Sequence, residues 1–593
     1  MENELADRIA RNETGHQWDT RVWLAVGLVL LGAALNAIYL FRHCPIDLSE
    51  DETHYWEWSR HLDYGYYSKP PGIAWVIWAA IRIGAMLGIN GDGSGAALAP
   101  VMRMAAVIFG MCSGLLSLFL ARRMFGGKGA LAVILLSAAV PMFAVGSLLI
   151  TIDAPMYLCW AGTVYCLWRC VENAKLKTQN ANQRVTWLYA AGVCAGMGML
   201  FKPVGIVLPV CCFIAALADR EGARRAFKTW HALGAIVVMM ASQVPVLVWN
   251  ARHGWVMFLH IGTQGGLAGG VTKHKGFVQA ALLDPLSRVG AYVGGQAGGM
   301  GGVIFVLLVI AVVVAWTKAR AATQGKAERT RWVFLLSFAV PLWGFYFLLS
   351  LWKGTEPNWP AASYFAGMIL LAGVVAEGWS AAEANVRKAW RVWGGIAVVS
   401  GILITTLVMN FYRFFPVAAS HLEPLKGTPK YFSSRWHPVA FWAKPLEKVI
   451  GMQARAEAIE PVREALAKET GQEPLIMTGR YDTSSSLAFY LPGQPFVYCL
   501  MSNLGGRKSQ YDLWPGLNET AGDKPVLAGR PAVIVGIDGK DFDEVVRPAF
   551  ERVEGPEKLP IVLNGITLKM VVVYRAWGYK GHIGTVVGAG GSY

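Results

Sequence analysis

The sequence predicts an α-helical polytopic membrane protein that carries a small α/β domain at its C-terminal end. Three observations carry that expectation. The 593 residues are 54% hydrophobic and only 16% charged, too apolar for a water-soluble enzyme. Apolar runs long enough to span a bilayer recur between residues 22 and 412. After Phe411 the chain becomes more polar and changes to alternating short strands and helices.

The apolar runs fall near 22–41, 101–121, 129–150, 154–170, 187–201, 203–218, 231–249, 286–316, 332–352, 360–378 and 392–412. They amount to about 11 spans, or about 13 if the Gly-rich stretch from Gly290 to Gly302 hides a further pair. Val22 to Leu40 is longer than a signal-peptide core, and the residues before it carry nearly as many acids as bases. The first run therefore reads as an uncleaved span.

The net charge of +15 does not point to nucleic acid, because the cations sit in short clusters between apolar runs. These clusters are Arg122, Arg123 and Lys128; Arg169, Lys175, Lys177 and Arg184; Arg220, Arg224, Arg225 and Lys228; Lys318, Arg320, Lys326, Arg329 and Arg331; and Arg387, Lys388 and Arg391. With the N-terminus in the cytoplasm, all of them alternate onto the cytoplasmic side, where they can also hold anionic membrane lipids. One more apolar segment, Pro70 to Leu87, breaks the alternation if it crosses, so it is expected to lie on the outer membrane face. The polar stretch from Lys175 to Gln183 reads as a cytoplasmic loop. Nine cysteines show no metal-ligand spacing, and most lie inside apolar runs as small buried side chains. Cys44 and Cys499 would share the outer compartment, but sequence alone does not bring them together.

In the C-terminal region, from about residue 413, Pro474 to Thr478 and Pro531 to Gly536 read as buried strands. Arg455 to Lys468 reads as an amphipathic helix, and Ile566 to Tyr574 as an edge or hairpin strand.

This topology gathers rare charges on the outer face. Asp51, Glu52 and Lys69 lie in the first outer loop, within an aromatic-rich stretch from Asp47 to Gly72. Asp153 lies in the turn at 150–155, Lys202 precedes Pro203, and Glu356 and Asn358 share the turn from Lys353 to Pro360. Ionisable residues next to hydrocarbon are costly and mark candidate sites.

With these residues assembled, the chain resembles the bacterial GT-C glycosyltransferases of the protein-mannosyltransferase superfamily, near the group of the lipid A aminoarabinose transferase. The resemblance rests on Asp51-Glu52-Thr53-His54-Tyr55, the Tyr-Tyr-Ser-Lys-Pro-Pro turn at 66–71, and the Thr-Ile-Asp-Ala-Pro turn at 151–155. Phe201-Lys202-Pro203 and Glu356-Pro357-Asn358-Trp359-Pro360 add to it, with 487–493 and 510–514 near the C-terminus. It implies a GT-C fold, with residues 1–412 as the catalytic membrane domain and 413–593 as a periplasmic domain. It also implies transfer of a sugar from a polyprenyl (undecaprenyl) phosphate carrier to lipid A, lipopolysaccharide or another envelope glycan at the periplasmic face of the inner membrane, usually with inversion. Ser68 and His54 depart from the group, which carries an acid and an arginine there, so neither donor sugar nor acceptor is assigned.

The residues divide by chemistry. Attack on a polyprenyl-phospho-sugar needs a carboxylate near the acceptor oxygen and cations at the departing phosphate. Asp51, Asp153 and Glu52 are the candidate catalytic acids, and Lys69, Lys202 and His54 the candidate phosphate partners. Tyr55, Tyr67, Glu356 and Asn358 are candidates for the sugar or acceptor pocket. Glu52 alternatively orients Asp51 or meets the helix dipole, and Asp153 alternatively supports Lys69 or Lys202 electrostatically or helps bind the sugar; the structural alternatives are a helix cap at Asp51, for a helix starting near Thr53, and another at Asp153. For the lysines the alternative is snorkelling, for His54 polar packing, for the tyrosines an interfacial aromatic belt, and for Asn358 a plain turn. No metal is required, although Asp51, Glu52, Asp153 and Glu356 supply the hard oxygens a divalent cation uses. Two other functions fit the same outline: an enzyme with a protein hydroxyl as acceptor, and a lipid transporter or flippase. The transporter is disfavoured by the lack of an inverted repeat and of mid-span charges.

Overall fold

A computed structural model of the chain describes residues 18–175, 181–264, 284–321, 326–422, 450–522, 524–563 and 566–586. The loop expected at Lys175 to Gln183 lies mostly outside them. In chain order the main elements begin with α1 (Thr20–Ile38), α2 (Glu50–Arg60), α3 (Gly72–Met86), α4 (Gly95–Ala138), α5 (Asp153–Lys175) and α6 (Ala181–Met199). Next come α7 (Leu208–Ala218), α8 (Ala223–Phe227), α9 (Trp230–Ala241), α10 (Val244–Arg252), α11 (Val256–Gln264), α12 (Asp284–Met300) and α13 (Gly302–Arg320). The helical region closes with α14 (Lys326–Ser350), α15 (Ser363–Gly378) and α16 (Ala384–Leu422). The C-terminal region holds α17 (Met452–Thr470), β1 (Leu475–Thr478), α18 (Tyr481–Tyr490), β2 (Val497–Cys499), β3 (Ala532–Val535), β4 (Phe550–Leu563) and β5 (Ile566–Tyr579).

Among the described residues, five helices are long and apolar enough to cross a membrane: Thr20–His43, Gly95–Ala138, Gly302–Arg320, Glu328–Ser350 and Ala384–Asn410. The pair α9 and α10, bent by 42°, makes a sixth if counted as one span. The expected runs at 101–121 and 129–150 lie on either side of Gly126, whose φ of 70° and ψ of −165°, suited to a residue without Cβ, separate two helices within Gly95–Ala138; the second helix ends at Ala138, short of residue 150. The run at 286–316 is likewise split, at Gly301 with φ 76°. Pro70 to Leu87 contributes α3, a 15-residue apolar helix.

The chain divides into two compact units. The first holds Met1–Arg42, Ala106–Trp249 and Gln264–Met409; the second holds His43–Ala105, Asn250–Thr263 and Asn410–Tyr593. In the first unit α5 packs along α6, α6 on α9, and α15 against both α13 and α14. Helix α15 is buried along almost its whole length, which explains why its sequence is apolar all round. Many cations at the helix ends of this unit share carboxylates: Lys318 and Arg331 meet Glu377 at 2.6 and 2.5 Å, and Arg123 and Arg169 meet Glu172 at 3.3 Å each.

In the second unit a five-stranded sheet runs β2-β1-β3-β5-β4, with β2, β1 and β3 parallel and the β4–β5 hairpin added antiparallel. The two strands expected at 474–478 and 531–536 are its buried centre, with all four residues of each inside the core. The segment expected at 566–574 is the inner strand of the hairpin, and β4 takes the edge. The core beside the sheet holds Met477, Ile534, Phe542, Val546 and Tyr574. Helix α2 of the first loop packs on α18 in this same unit, with Trp56 edge-on to Phe489 at 4.9 Å. The hydroxyls of Thr53 and Ser485 lie 3.1 Å apart, and Leu48 N–H donates to the Tyr490 hydroxyl at 2.7 Å. Asp47 reaches across the sequence to accept from Met452 and Gln453 N–H, at 2.8 and 3.2 Å, and so caps α17. Cys44 and Cys499 are both free thiols.

Candidate functional site

The sequence-predicted residues fall into two groups, one in each unit, and the larger is in the second unit. Its foundation is the start of α2. Ser49 caps the helix in a capping box: its hydroxyl accepts from Glu52 N–H, and Glu52 Oε2 accepts from Ser49 N–H at 2.9 Å. The helix thus begins at Glu50 rather than near Thr53, and Asp51 is not its cap. Asp51 lies exposed in the first turn, where a carboxylate is favoured by the helix dipole.

Glu52 turns the other way and is fully buried against Arg103. The guanidinium donates Nε to Oε1 at 2.9 Å and Nη2 to Oε2 at 2.8 Å, and its remaining donors bind the carbonyls of Ile46 and Asp47 at 2.8 and 2.7 Å. This fork ties the loop at 46–52 to the first turns of α4. Glu52 positions the helix that presents Asp51, and its carboxylate is committed to that pair.

Around Asp51 the unit gathers cations and rings. The negative charge of Asp51 and the positive charge of Arg507 both bear on the Tyr481 hydroxyl, with the guanidinium 4.8 Å from that ring's centre. Burial chiefly holds the Tyr481 phenol above its ordinary range. His54 is buried, its ring 5.0 Å from Tyr481 and 4.9 Å from Trp58. Burial and then Arg507 pull its pKa down to about 3. His54 therefore presents a neutral imidazole, so it offers a phosphate a hydrogen bond and no charge. Tyr67 is buried with its ring 5.3 Å from His260, and its N–H donates to Gln510 Oε1 at 2.7 Å. Lys69 is half-buried in a turn closed by Tyr66 N–H donating to its carbonyl at 3.1 Å. Burial, and then the fields of Arg507 and Lys69, lower His260 to about 4. Tyr55 is buried against Trp58, with ring centres 5.0 Å apart, as part of the helix packing. A carboxylate, two cations and several aromatic rings thus occur in this unit. Among the described residues, Nδ1 of His54, Nδ1 of His260 and the Tyr511 hydroxyl are buried without a hydrogen-bond partner.

The second group lies in the first unit. Lys202 Nζ donates to Asp153 Oδ1 at 2.9 Å, and Asn358 Nδ2 donates to Oδ2 at 2.7 Å. Asp153 is the first residue of α5, and its carboxylate is engaged by the lysine and the amide. The turn that carries Asn358 is pinned from behind. Gln296 Nε2 donates to the Pro357 carbonyl at 3.1 Å, and the Tyr364 hydroxyl donates to Gln296 Oε1 at 2.7 Å. Gly295 lets that turn come close, since a Cβ there would lie 3.1 Å from Pro357 Cγ. Glu356 is exposed on the same turn.

Arg103, Arg507, His260 and Tyr481 were not singled out from sequence, and Gln510 only as part of the stretch at 510–514. Arg103 had a usable signal, an arginine three residues into an apolar run. Arg507, after Gly505-Gly506, had none beyond its charge. Among the described residues no three His, Cys, Asp or Glu side chains gather as metal ligands.

The apolar helical bundle with a sheet-containing C-terminal region is a GT-C fold. Residues 68–249 match the family described as dolichyl-phosphate-mannose-protein mannosyltransferase. The chain is similar in fold to ArnT from Cupriavidus metallidurans. Against the apo crystal structure the TM-score is 0.55 at 17% identity, covering 93% of this chain and 98% of that one. Against the structure bound to undecaprenyl phosphate it is 0.53 at 18% identity, covering 92% and 98%. Over 81 residues the chain is 41% identical to the lipid A galacturonosyltransferase RgtD of Rhizobium johnstonii, a match to 14% of this chain that spans 16% of the relative's length.

Proposed function

We propose that this protein is an inner-membrane glycosyltransferase that moves a sugar from an undecaprenyl-phosphate carrier to lipid A or another envelope glycan on the periplasmic side, with inversion. One observation carries the reading: an exposed Asp51, on a helix start fixed by Glu52 and Arg103, lies within electrostatic reach of Tyr481, whose ring centre is 4.8 Å from the Arg507 guanidinium. The fold of ArnT, solved with undecaprenyl phosphate, and the stretch similar to a lipid A galacturonosyltransferase support the choice of carrier and acceptor.

In this reaction the acceptor oxygen attacks the anomeric carbon as the bond from that carbon to the phosphate oxygen breaks. Asp51 takes the acceptor's proton, and the polyprenyl phosphate leaves with the electron pair. If the acceptor is itself an ionised phosphate, no proton moves and Asp51 stabilises positive charge on the sugar. Lys69 and Arg507 offset charge on the departing phosphate. Tyr67 contacts sugar or acceptor; in the first unit Lys202, oriented by Asp153, binds phosphate, and Asn358 and Glu356 contact sugar or acceptor. A protein hydroxyl as acceptor is the second reading, favoured by the mannosyltransferase family match over 68–249.

The test uses purified full-length protein with a synthetic undecaprenyl-phospho-sugar and lipid A, comparing wild type with Asp51→Asn. A folded variant that loses transfer by about a hundredfold or more supports the carboxylate's role. A variant that retains wild-type transfer removes it.

A further inference from the structure

Helices α5, α6, α7 and α9 of the first unit enclose a cavity of about 750 Å³. Its walls are apolar, with Leu167, Leu188, Leu208, Phe213, Ile236 and Met239 among them. Small residues keep it open: Ala191, Ala195 and Ala216 face it without filling it. Gly192 lets α6 approach α9 closely, since a Cβ there would come 2.4 Å from the Ala235 carbonyl oxygen. On one side Phe213, Leu217 and Leu233 are 62%, 64% and 53% exposed, so the cavity opens where hydrocarbon would surround the helices.

The rim has a different character. Arg224, Lys228, Thr229 and Trp230 border it, and the two cations and the tryptophan are exposed. Trp230, 85% exposed, has the amphipathic ring that settles at lipid headgroup level. Among the described residues neither Arg224 nor Lys228 has a carboxylate partner, whereas Lys318 and Arg331 share Glu377, and Arg123 and Arg169 share Glu172. The nearby Asp219 is committed to the N–H groups of Gly222 and Ala223, at 3.2 and 3.1 Å. An apolar chamber under two unpaired cations is complementary to a lipid with an anionic phosphate head.

We propose that this cavity binds an anionic glycerophospholipid, with its phosphate on Arg224 and Lys228 and one acyl chain inside. The site differs from the one that holds Lys202. Lys202 lies just before α7 and Arg224 just beyond it, and its 11 residues set the two ends about 16 Å apart. The chamber takes one acyl chain but only part of an undecaprenyl chain, which selects the phospholipid over the carrier. The bound lipid wedges α6, α7 and α9 and thereby braces the arm that carries Lys202.

The experiment reads bound lipid and is independent of sugar transfer. Full-length protein is exchanged into nanodiscs containing equal phosphatidylglycerol and phosphatidylcholine, then released into mild detergent for native mass spectrometry. Wild type retains phosphatidylglycerol in preference to phosphatidylcholine. The Arg224→Gln/Lys228→Gln variant retains about tenfold less of it. Ala216→Phe, which fills the chamber and leaves both cations in place, loses the lipid as well. Equal retention of the two lipids by wild type, retention of a polyprenyl phosphate from the expression host in their place, or undiminished binding by either variant overturns the proposal. The wild-type preference decides the matter even where a variant fails to fold.

Discussion

Arg103→Ala is the most instructive perturbation, because it acts on the candidate site without touching a residue proposed to meet substrate. The side chains of Arg103 and Glu52 are 3% and 0% exposed, so removing the arginine leaves a buried carboxylate without its cation. It also strips donors from the carbonyls of Ile46 and Asp47. Breaking a buried pair of this kind costs about 3–5 kcal/mol, which is a rise of roughly 150- to 4,000-fold in local opening. The assay is hydrogen exchange of the peptide spanning residues 46–60 in purified protein. Replacing both partners, as Glu52→Met with Arg103→Met, removes the stranded charge, and protection should return except for about 1 kcal/mol per carbonyl that lost its donor. Exchange in Arg103→Ala within about threefold of wild type would refute the claim that this pair fixes the start of α2.

Three further outcomes follow from the same geometry. Glu57 is fully buried, with neither oxygen hydrogen-bonded among the described residues and Arg60 3.5 Å from one of them, and burial raises its pKa from 4.5 to about 7. The folded state then holds a proton that the unfolded state releases, so stability is lost as pH rises from 4.5 to 7, by about 3 kcal/mol in all, and stays lower above 7. Thermal unfolding from pH 5 to 8 should show that decline in wild type and a flatter profile in Glu57→Gln. Arg507→Gln removes a positive charge that depresses His260 and His54, so imidazole NMR should show both pKa values rising from about 4 and about 3; unchanged values would place Arg507 away from the cluster. Lys202→Met leaves Asp153 with Asn358 alone, and the KM for the lipid-linked donor should rise about tenfold, with partial recovery in Lys202→Arg; a change in kcat alone would argue against phosphate binding.

The fold was readable where periodicity and composition speak for single elements. The buried strands at 475–478 and 532–535 followed from short apolar runs, and α17 from its amphipathic spacing. The apolar runs placed most membrane helices and left a gap around Gly126, but the end at Gly301 depended on a backbone event, a positive φ that breaks a run hydropathy leaves continuous. The packing of the first loop was not legible. Nothing local announces that Asp47 caps a helix more than four hundred residues away, or that Gln510 receives the Tyr67 amide. At the candidate site, the acids and lysines stood out because charge beside hydrocarbon is costly. Their division of labour was readable only as open alternatives. Glu52 and Asp51 are neighbours of the same type, and only a buried guanidinium from α4 separates a positioning residue from an exposed one.

The central claim is that this protein breaks the bond between a sugar and a polyprenyl phosphate and makes a new glycosidic bond. Its direct measurement is mass spectrometry of a reaction containing purified protein, an undecaprenyl-phospho-sugar carrying an isotope-labelled sugar, and lipid A in proteoliposomes. The account predicts labelled glycosylated acceptor and free undecaprenyl phosphate appearing in equal amounts. Intact donor that crosses the bilayer while neither product forms would contradict it and favour a lipid transporter.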